Sequence, residues 1–428
     1  MKRWGLRAIF LTALVVDALL SRYGWAVGGH HQTPDSAAVL SQVHILEGRP
    51  APFALNAKAA ILVPADYSTP LYTYNEHQRM QPASLAKLMT FYITLKALKQ
   101  GRITPDTTVT ISEAAWRLSV SRSISKMFLE VGQRVTIRDL LYGLMVSSGN
   151  DAAFAIAEYI GGSAQAFVVM MNDECRGLGL NETHFENPDG LPAPEQYTTA
   201  ADMAKLGSII LSRFPEALTY TATKEFTFHA ITQRNWNTLL FYDSRVDGLK
   251  TGHVEEAGFH LVASAHANNL GLIAVVMGAP NAERRRLETE KLLDWGFRTF
   301  APASPDWRQV APSKIDVYEG RAGSVEIGPA SAPVAVVFRE EVKSVKLSAT
   351  LDSSYLVAPV KQQTKVGMLT LSRGDTVINQ IPLVTQGAVP RGGFIKVMLG
   401  RLELLLAVIL GGIGSLLRRI LRSIGSAL

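Results

Sequence analysis

Three short clusters carry residue types that together can transfer an acyl group: Ser84-Leu85-Ala86-Lys87, Ser148-Gly149-Asn150 and Lys250-Thr251-Gly252. A serine hydroxyl is a weak nucleophile until a neighbouring base takes its proton. Lys87 stands three residues after Ser84 near a predicted helix start, so the two side chains share a face. A lysine can be that base only if its pKa falls well below about 10.4, through burial or a second cation. Lys250 is the candidate cation. In the second cluster, the Ser148 hydroxyl could relay a proton to a leaving amine, and Asn150 could bind a substrate amide. In the third, Lys250 and Thr251 could hold a substrate carboxylate, while Gly252 leaves room for close backbone approach.

Each cluster is weak alone. Average composition puts about one or two chance Ser-x-x-Lys matches in a chain this long, and Ser123-Ile124-Ser125-Lys126 is one. That match lies in loop-like, Ser/Arg-rich sequence, whereas Gln81-Pro82-Ala83 before Ser84 is a helix-start signal. Ser-Gly-Asn also suits an ordinary turn, and Ser147 is an alternative to Ser148.

The elements that must position these clusters follow from periodicity. Residues 59–65 and 70–75 predict a hairpin. A helix is predicted from about 82 to 98, with Leu85, Leu88, Met89, Tyr92 and Leu95 at helical spacing. Residues 137–160 and 163–178 read as helical, parted by Gly161-Gly162, with Ser148-Gly149-Asn150 in a loop between helices. Strand signals return at 246–251, 258–266 and 270–278, the last two joined by a turn around Asn268-Asn269, and a helix closes the series at 282–297. This order predicts an α+β fold, an antiparallel sheet with helices segregated around it. An edge strand carrying Lys250 could pair with an extended peptide. Pro302, Pro305 and Pro312 mark a linker, after which 313–386 alternates with β-type period. A small all-β domain is expected there, a spacer or a module for a protein partner.

With 428 residues, two domains are within reach, and 47% hydrophobic with 19% charged residues suits sizeable cores. The net charge of +6 is concentrated at the end, where six Lys and Arg from residue 389 onward face one acid, Glu403. Nucleic acid is therefore a poor partner and anionic lipid a better one. The uncharged stretch 404–417 is short for a span. Lys396, Gly400, Glu403, Ala407, Gly411, Gly414, Arg418 and Arg422 make a narrow polar-or-small stripe on an otherwise apolar helix. An amphipathic helix lying in the membrane interface is expected, with a tilted span as its rival. At the other end, Lys2, Arg3 and Arg7 precede an apolar run over 8–20, interrupted by Asp17, then Ala26-Val27-Gly28. This is the layout of a signal peptide removed near 26–29, with a retained anchor as the alternative. Cys175 is the sole cysteine, so no intramolecular disulfide forms, and its apolar neighbours predict a buried thiol. No His–Cys spacing suggests a metal site.

Residues 57–300 closely resemble the low-molecular-mass penicillin-binding proteins, the serine-type D-alanyl-D-alanine carboxypeptidases. The segments that carry the resemblance are Pro82-Ala-Ser-Leu-Ala-Lys-Leu-Met-Thr90, Ser148-Gly-Asn-Asp-Ala152, Thr183-His-Phe-Glu-Asn-Pro-Asp-Gly-Leu191, Val246-Asp-Gly-Leu-Lys-Thr-Gly-His253 and Lys291-Leu-Leu-Asp-Trp-Gly-Phe297. The β-rich segment and the tail also resemble that family's layout. The resemblance implies a β-lactamase/transpeptidase-like fold with a helical subdomain. It divides the chain into a signal peptide at 1–28, a penicillin-binding domain at 29–302, a small all-β domain at 303–388 and an anchoring helix at 389–428.

It further implies Ser84 as acyl-ester nucleophile, Lys87 as its proton acceptor, and Ser148 with Asn150 as the second catalytic element. Lys250, Thr251 and Gly252 would form the carboxylate site, with help from Arg285. The backbone N–H groups of Ser84 and His253 would form the oxyanion hole, the His253 side chain not being a base. The expected protein is exported to the periplasmic face of the bacterial inner membrane, removes the terminal D-alanine from peptidoglycan stem pentapeptides, and binds β-lactams covalently, with no cofactor and no metal. Ala201 precedes Asp202-Met203 where relatives can carry arginine, and Val254 follows His253 where threonine is common. Both departures bear on fine substrate preference, not reaction class. Three alternatives remain. A β-lactamase lacks support, because no Glu-x-x-Leu-Asn element follows the second cluster. A D,D-endopeptidase shares the chemistry. A non-catalytic cell-wall-binding scaffold is opposed by intact Ser84, Lys87, Ser148 and Lys250.

Overall fold

The computed structural model describes residues 43–49, 52–66 and 68–402. The expected signal peptide and the tail over 403–428 lie outside the described residues.

Apolar runs bounded by turn residues build the central sheet from β1 (Val43–Ile45), β2 (Ala59–Pro64), β3 (Tyr72–Tyr74), β4 (Val246–Val254), β5 (Gly258–Ala267) and β6 (Leu270–Ala279). Their order is β1-β3-β2-β6-β5-β4, with antiparallel pairing from β3 through to β4. All of β2 is buried, which is why its sequence is a continuous apolar run rather than an alternation. Asn268 and Asn269 take φ of +52° and +62°, the mirror-image turn that matches the twist of a two-residue hairpin. They join β5 to β6 with Ala267 opposite Leu270. The strand carrying Lys250, β4, forms one edge.

Seven helices matter for the site: α1 (Lys87–Lys99), α2 (Glu113–Val120), α3 (Ile137–Met145), α4 (Asn150–Gly161), α5 (Ala164–Leu178), α6 (Ala200–Arg213) and α7 (Ala282–Thr299). Neighbouring residues on a strand point to opposite faces, and two glycines show which helix covers which. A β carbon at Gly207 of α6 would touch Leu249, Val262 and Ile273, whereas one at Gly296 of α7 would touch Leu62 and Leu272. The sheet is thus sandwiched between α6 and α7. On the α6 side, Phe91, Leu141, Ile156, Phe167 and Met203 join Ile61, Val63 and Val275 in one core. Cys175 is buried there, with its thiol pushed up to about 12 by burial.

One expectation needs correction. The helix foreseen from residue 82 begins instead as a 3-10 turn, Ala83–Ala86, because Ala83 takes φ of +49° and turns the chain before α1. The break expected at the second cluster parts α3 from α4, with Ser148 at φ of +57° and Asn150 already the first residue of α4. The 14-residue α6 was not foreseen, although Thr199 caps it by accepting from Asp202 N–H at 3.2 Å.

Beyond α7, six strands form a second sheet with its own core: β7 (Lys314–Tyr318), β8 (Ser324–Pro329), β9 (Val345–Leu351), β10 (Tyr355–Val357), β11 (Lys365–Arg373) and β12 (Thr376–Thr385). Their order is β9-β11-β12-β8-β7-β10, antiparallel except for β7 with β10. The Arg339 guanidinium ties this sheet's domain to the end of α7, donating to the carbonyls of Phe297, Arg298 and Phe300. Residues 394–402 are helical and expose Phe394, Ile395, Met398, Leu399 and Leu402. Glu319 holds this segment through Arg401 at 3.1 Å and the chain just before it through Arg391 at 3.0 Å. Among the described residues, no single helix is long and apolar enough to cross a membrane.

Candidate active site

Ser84 sits in the 3-10 turn, and Lys87 opens α1 immediately after it. Two glycines let this turn pack tightly. Gly190, at φ +85°, lies against the Ala83 and Ser84 backbone, and Gly252 of β4 lies against Pro82 and Ala83. The room that Gly252 leaves is therefore taken up in part by the nucleophile turn itself.

Lys87 is fully buried. Its Nζ lies 3.0 Å from Ser84 Oγ, 2.6 Å from Asn150 Oδ1 and 2.5 Å from the Asp189 carbonyl oxygen. Burial lowers its pKa to about 8, against the opposing pull of the Asp189 and Asp151 carboxylates. Lys250 is the neighbouring cation expected from the sequence, and two like charges this deeply buried each disfavour the other's protonated form. Lys250 is itself held well below the usual lysine range, first by burial, then by the Lys87 and Arg285 charges.

The second cluster occupies the break between α3 and α4. The left-handed Ser148 backbone costs on the order of 1–3 kcal/mol. Hydrogen bonds on either side hold it, from Gly149 N–H to the Gly143 carbonyl and from Asn150 N–H to the Ser125 carbonyl, each 2.9 Å. Lys250 Nζ donates to Ser148 Oγ at 3.0 Å. The buried Ser147 hydroxyl has no partner, so of the two candidate serines it is Ser148 that meets a lysine.

Asp151, not singled out from sequence as a site residue, is wholly buried beneath this turn. It accepts from the Ser119 hydroxyl at 2.7 Å and from the amides of Met127, Leu129 and Ala152. It thereby fixes the 121–130 loop against α4. An acid directly after Ser-Gly-Asn was the available signal. The chance match at Ser123 lies in that loop, and Ser123 and Ser125 line the same cleft as Ser84.

The cleft, of about 480 Å³, is bordered on the β4 side by Thr251, Gly252 and His253, with Arg285 of α7 beside them. The His253 ring stacks on Phe259 at 3.8 Å, and burial with the Arg285 charge holds it below the usual histidine range. Arg285 is buried, which lowers its pKa to about 10. It donates to the Trp236 carbonyl at 3.1 Å, while its Nε has no partner. A buried guanidinium with donors to spare suits a carboxylate ligand. All nine residues singled out from sequence thus come to one place.

Residues 47–281, more than half the chain, match the Peptidase S11 family model, described as D-alanyl-D-alanine carboxypeptidase. The chain belongs to the D-alanyl-D-alanine carboxypeptidase family. Residues 306–391 of this carboxypeptidase match the penicillin-binding protein 5 C-terminal domain. The chain is 40% identical to the D-alanyl-D-alanine carboxypeptidase DacD of Escherichia coli over 348 residues, covering 80% of this chain and 89% of that one. Identity to DacA of the same organism is 36% over 373 residues, covering 86% and 93%. Among solved structures, penicillin-binding protein 5 of Haemophilus influenzae aligns with a TM-score of 0.69 at 36% identity, over 80% of this chain and 100% of that one. Penicillin-binding protein D2 of Listeria monocytogenes, solved with cefotaxime bound, aligns with a TM-score of 0.52 at 29% identity, over 58% and 100%. The family and fold expected from the sequence are borne out.

Proposed function

We propose that this serine D-alanyl-D-alanine carboxypeptidase uses Ser84 as its nucleophile and Lys87 as the base that activates it. The observation that carries the reading is the threefold contact of the buried Lys87 Nζ. A neutral amine keeps two N–H bonds, which Asn150 Oδ1 and the Asp189 carbonyl accept, and turns its lone pair to the Ser84 hydroxyl. A pKa lowered to about 8 makes that neutral form accessible near neutral pH.

Ser84 Oγ attacks the carbonyl carbon of the D-Ala–D-Ala bond as its proton passes to Lys87. The Ser84 and His253 amides receive the oxyanion, each worth about 3–4 kcal/mol in other acyl-transfer enzymes. As the C–N bond breaks, the Ser148 hydroxyl, held by Lys250, passes a proton to the departing D-alanine. Thr251, Lys250 and Arg285 hold its carboxylate. Water then hydrolyses the ester, and a β-lactam acylates the same serine. Replacing Ser84 with alanine is expected to abolish both D-alanine release from a pentapeptide and labelling by fluorescent penicillin. Retention of either overturns the assignment.

The same reading includes the sequence-derived division at 28, 302 and 388, export by the N-terminal segment, and attachment of the C-terminal helix to the outer face of the inner membrane. Its support is the basic, apolar sequence at each end and the exposed apolar side chains over 394–402. Carbonate extraction, which strips surface helices but not spans, tests it.

A further inference from the structure

His260 is wholly buried on β5, directly opposite Gly252 of β4. Cross-strand neighbours share a face of the sheet, and Gly252 has no side chain to occupy it. The nucleophile turn packs into that space, with Pro82 and Ala83 against Gly252. The His260 ring reaches the chain just before them, where its Nε2 meets the Gln81 carbonyl oxygen at 3.2 Å. On its other side, Nδ1 accepts from the Gly278 N–H at 2.9 Å, where the pairing of β6 with β5 slips between Val276 and Ala279. The ring thus joins the outer strands of the site to the residue three before Ser84.

These two partners leave the ring a single arrangement. A backbone N–H only donates and a carbonyl only accepts, so Nδ1 is bare and Nε2 carries the proton. A proton added at Nδ1 would set one N–H against another. Burial, helped by the Arg285 and Lys58 charges and opposed by the Gln81 and Phe259 carbonyls, lowers the pKa to about 4. The ring is therefore neutral throughout the range in which Lys87 titrates. Next to Gln81, Met80 pairs with Thr198 through two backbone hydrogen bonds of 2.9 Å. The chain is gripped at two successive residues just before the left-handed Ala83 turns it towards Ser84.

We propose that His260 is a positioning residue for the oxyanion hole, its Nε2–H holding the Ser84 turn in register with the strand that carries His253. The inference rests on the assignment of the Ser84 and His253 amides under Proposed function. One of those amides belongs to the turn and the other to β4, so their separation depends on how the turn seats on the sheet. His260 acts on that seating through the Gln81 carbonyl and does not itself meet the substrate. An oxyanion hole strengthens its hold only as charge develops on the reacting oxygen. Misalignment should therefore slow the chemical step and leave substrate binding unchanged.

The test measures kcat and KM of the full chain on a D-Ala–D-Ala pentapeptide, with thermal unfolding to establish that each variant is folded. His260→Leu, which keeps bulk but loses both hydrogen bonds, should lower kcat about tenfold or more with KM within about twofold. His260→Gln, whose amide N–H can replace Nε2–H, should recover kcat to within about threefold of wild type. An unchanged kcat in His260→Leu, a rise in KM matching the fall in kcat, or a Gln variant as slow as the Leu variant overturns the inference. A second measurement needs no variant. The ¹⁵N NMR spectrum of histidine-labelled wild type should show His260 with its proton on Nε2 from about pH 9 to about pH 5. A proton on Nδ1, or titration near the ordinary value of about 6.5, overturns the inference as well. Failure of the wild type to release D-alanine overturns the carboxypeptidase reading instead.

Discussion

Gly190 lies so close to Ala83 that a β carbon on it would meet the Ala83 carbonyl oxygen at 1.7 Å. Both residues hold left-handed backbones, at φ +85° and +49°. The obstruction is backbone, which cannot step aside as a flexible side chain can. Gly190→Ala is expected to cost about 2–4 kcal/mol through overpacking and left-handed strain. Because the displaced atoms adjoin Ser84, the acylation rate should fall at least a hundredfold. Denaturant unfolding and stopped-flow penicillin labelling check the two effects, and normal acylation in a folded variant would contradict this role for Gly190.

Lys87 sets two pH dependences. A base must be neutral to accept a proton, so kcat/KM is expected to rise with pH and level off above about 8. Lys87→Arg, which stays protonated, should lose at least a hundredfold. Stability follows the same titration. Between pH 8 and the unfolded value of 10.5, the unfolded chain holds a proton that the folded one has released, so Lys87 makes stability rise with pH across that window. Below it, the burial cost is fully present. The stability of Lys87→Met relative to wild type should therefore decline by about 3 kcal/mol from pH 7 to 10.5. A flat difference would show that Lys87 keeps its ordinary pKa.

Ser147 and Ser148 are adjacent but differently placed. Ser148→Ala removes the hydroxyl that Lys250 holds and should slow acylation by a factor of about 10² or more, as for other positioned proton donors. Ser147→Ala removes a hydroxyl without a partner and should change the rate less than about threefold. Parallel rate measurements decide, and equal losses would refute the distinction.

Arg285 remains charged at neutral pH, since burial lowers it only to about 10. Arg285→Ala should raise KM for D-Ala–D-Ala substrates, with a loss of about 2–4 kcal/mol in kcat/KM. A substrate ending in an amide should lose far less, because the carboxylate that Arg285 recognises is then missing. Equal losses on both substrates would mean that Arg285 acts by shaping the cleft.

What the sequence displayed and what it hid divide along chain separation. Ser84 and Lys87 are three residues apart, so helical geometry alone put them together. Contact between Lys87 and the Asp189 carbonyl, or between Ser148 and Lys250, joins residues 102 apart and depends on how the helical part packs on the sheet. Periodicity revealed the strands because each buried face reads directly as apolar residues. Backbone geometry was harder to see, since nothing in Ala83 or Ser148 announces a left-handed conformation. Electrostatics was hidden too. Composition names two lysines, but only the fold shows that both are buried.

Much of the cleft ends on main-chain carbonyls: Asp189 for Lys87, Pro188 for Thr90, Ser125 for Asn150, Ser147 for Trp236 and Trp236 for Arg285. A codon change at an accepting position alters the side chain and leaves the acceptor in place. Among these five contacts a change of side chain removes a partner only at Lys87, Thr90, Trp236 and Arg285, since the Asn150 donor is itself main chain. At Pro188, Asp189, Ser125 and Ser147 the acceptor survives any side-chain change, so resistance to a β-lactam should seldom arise from those four positions.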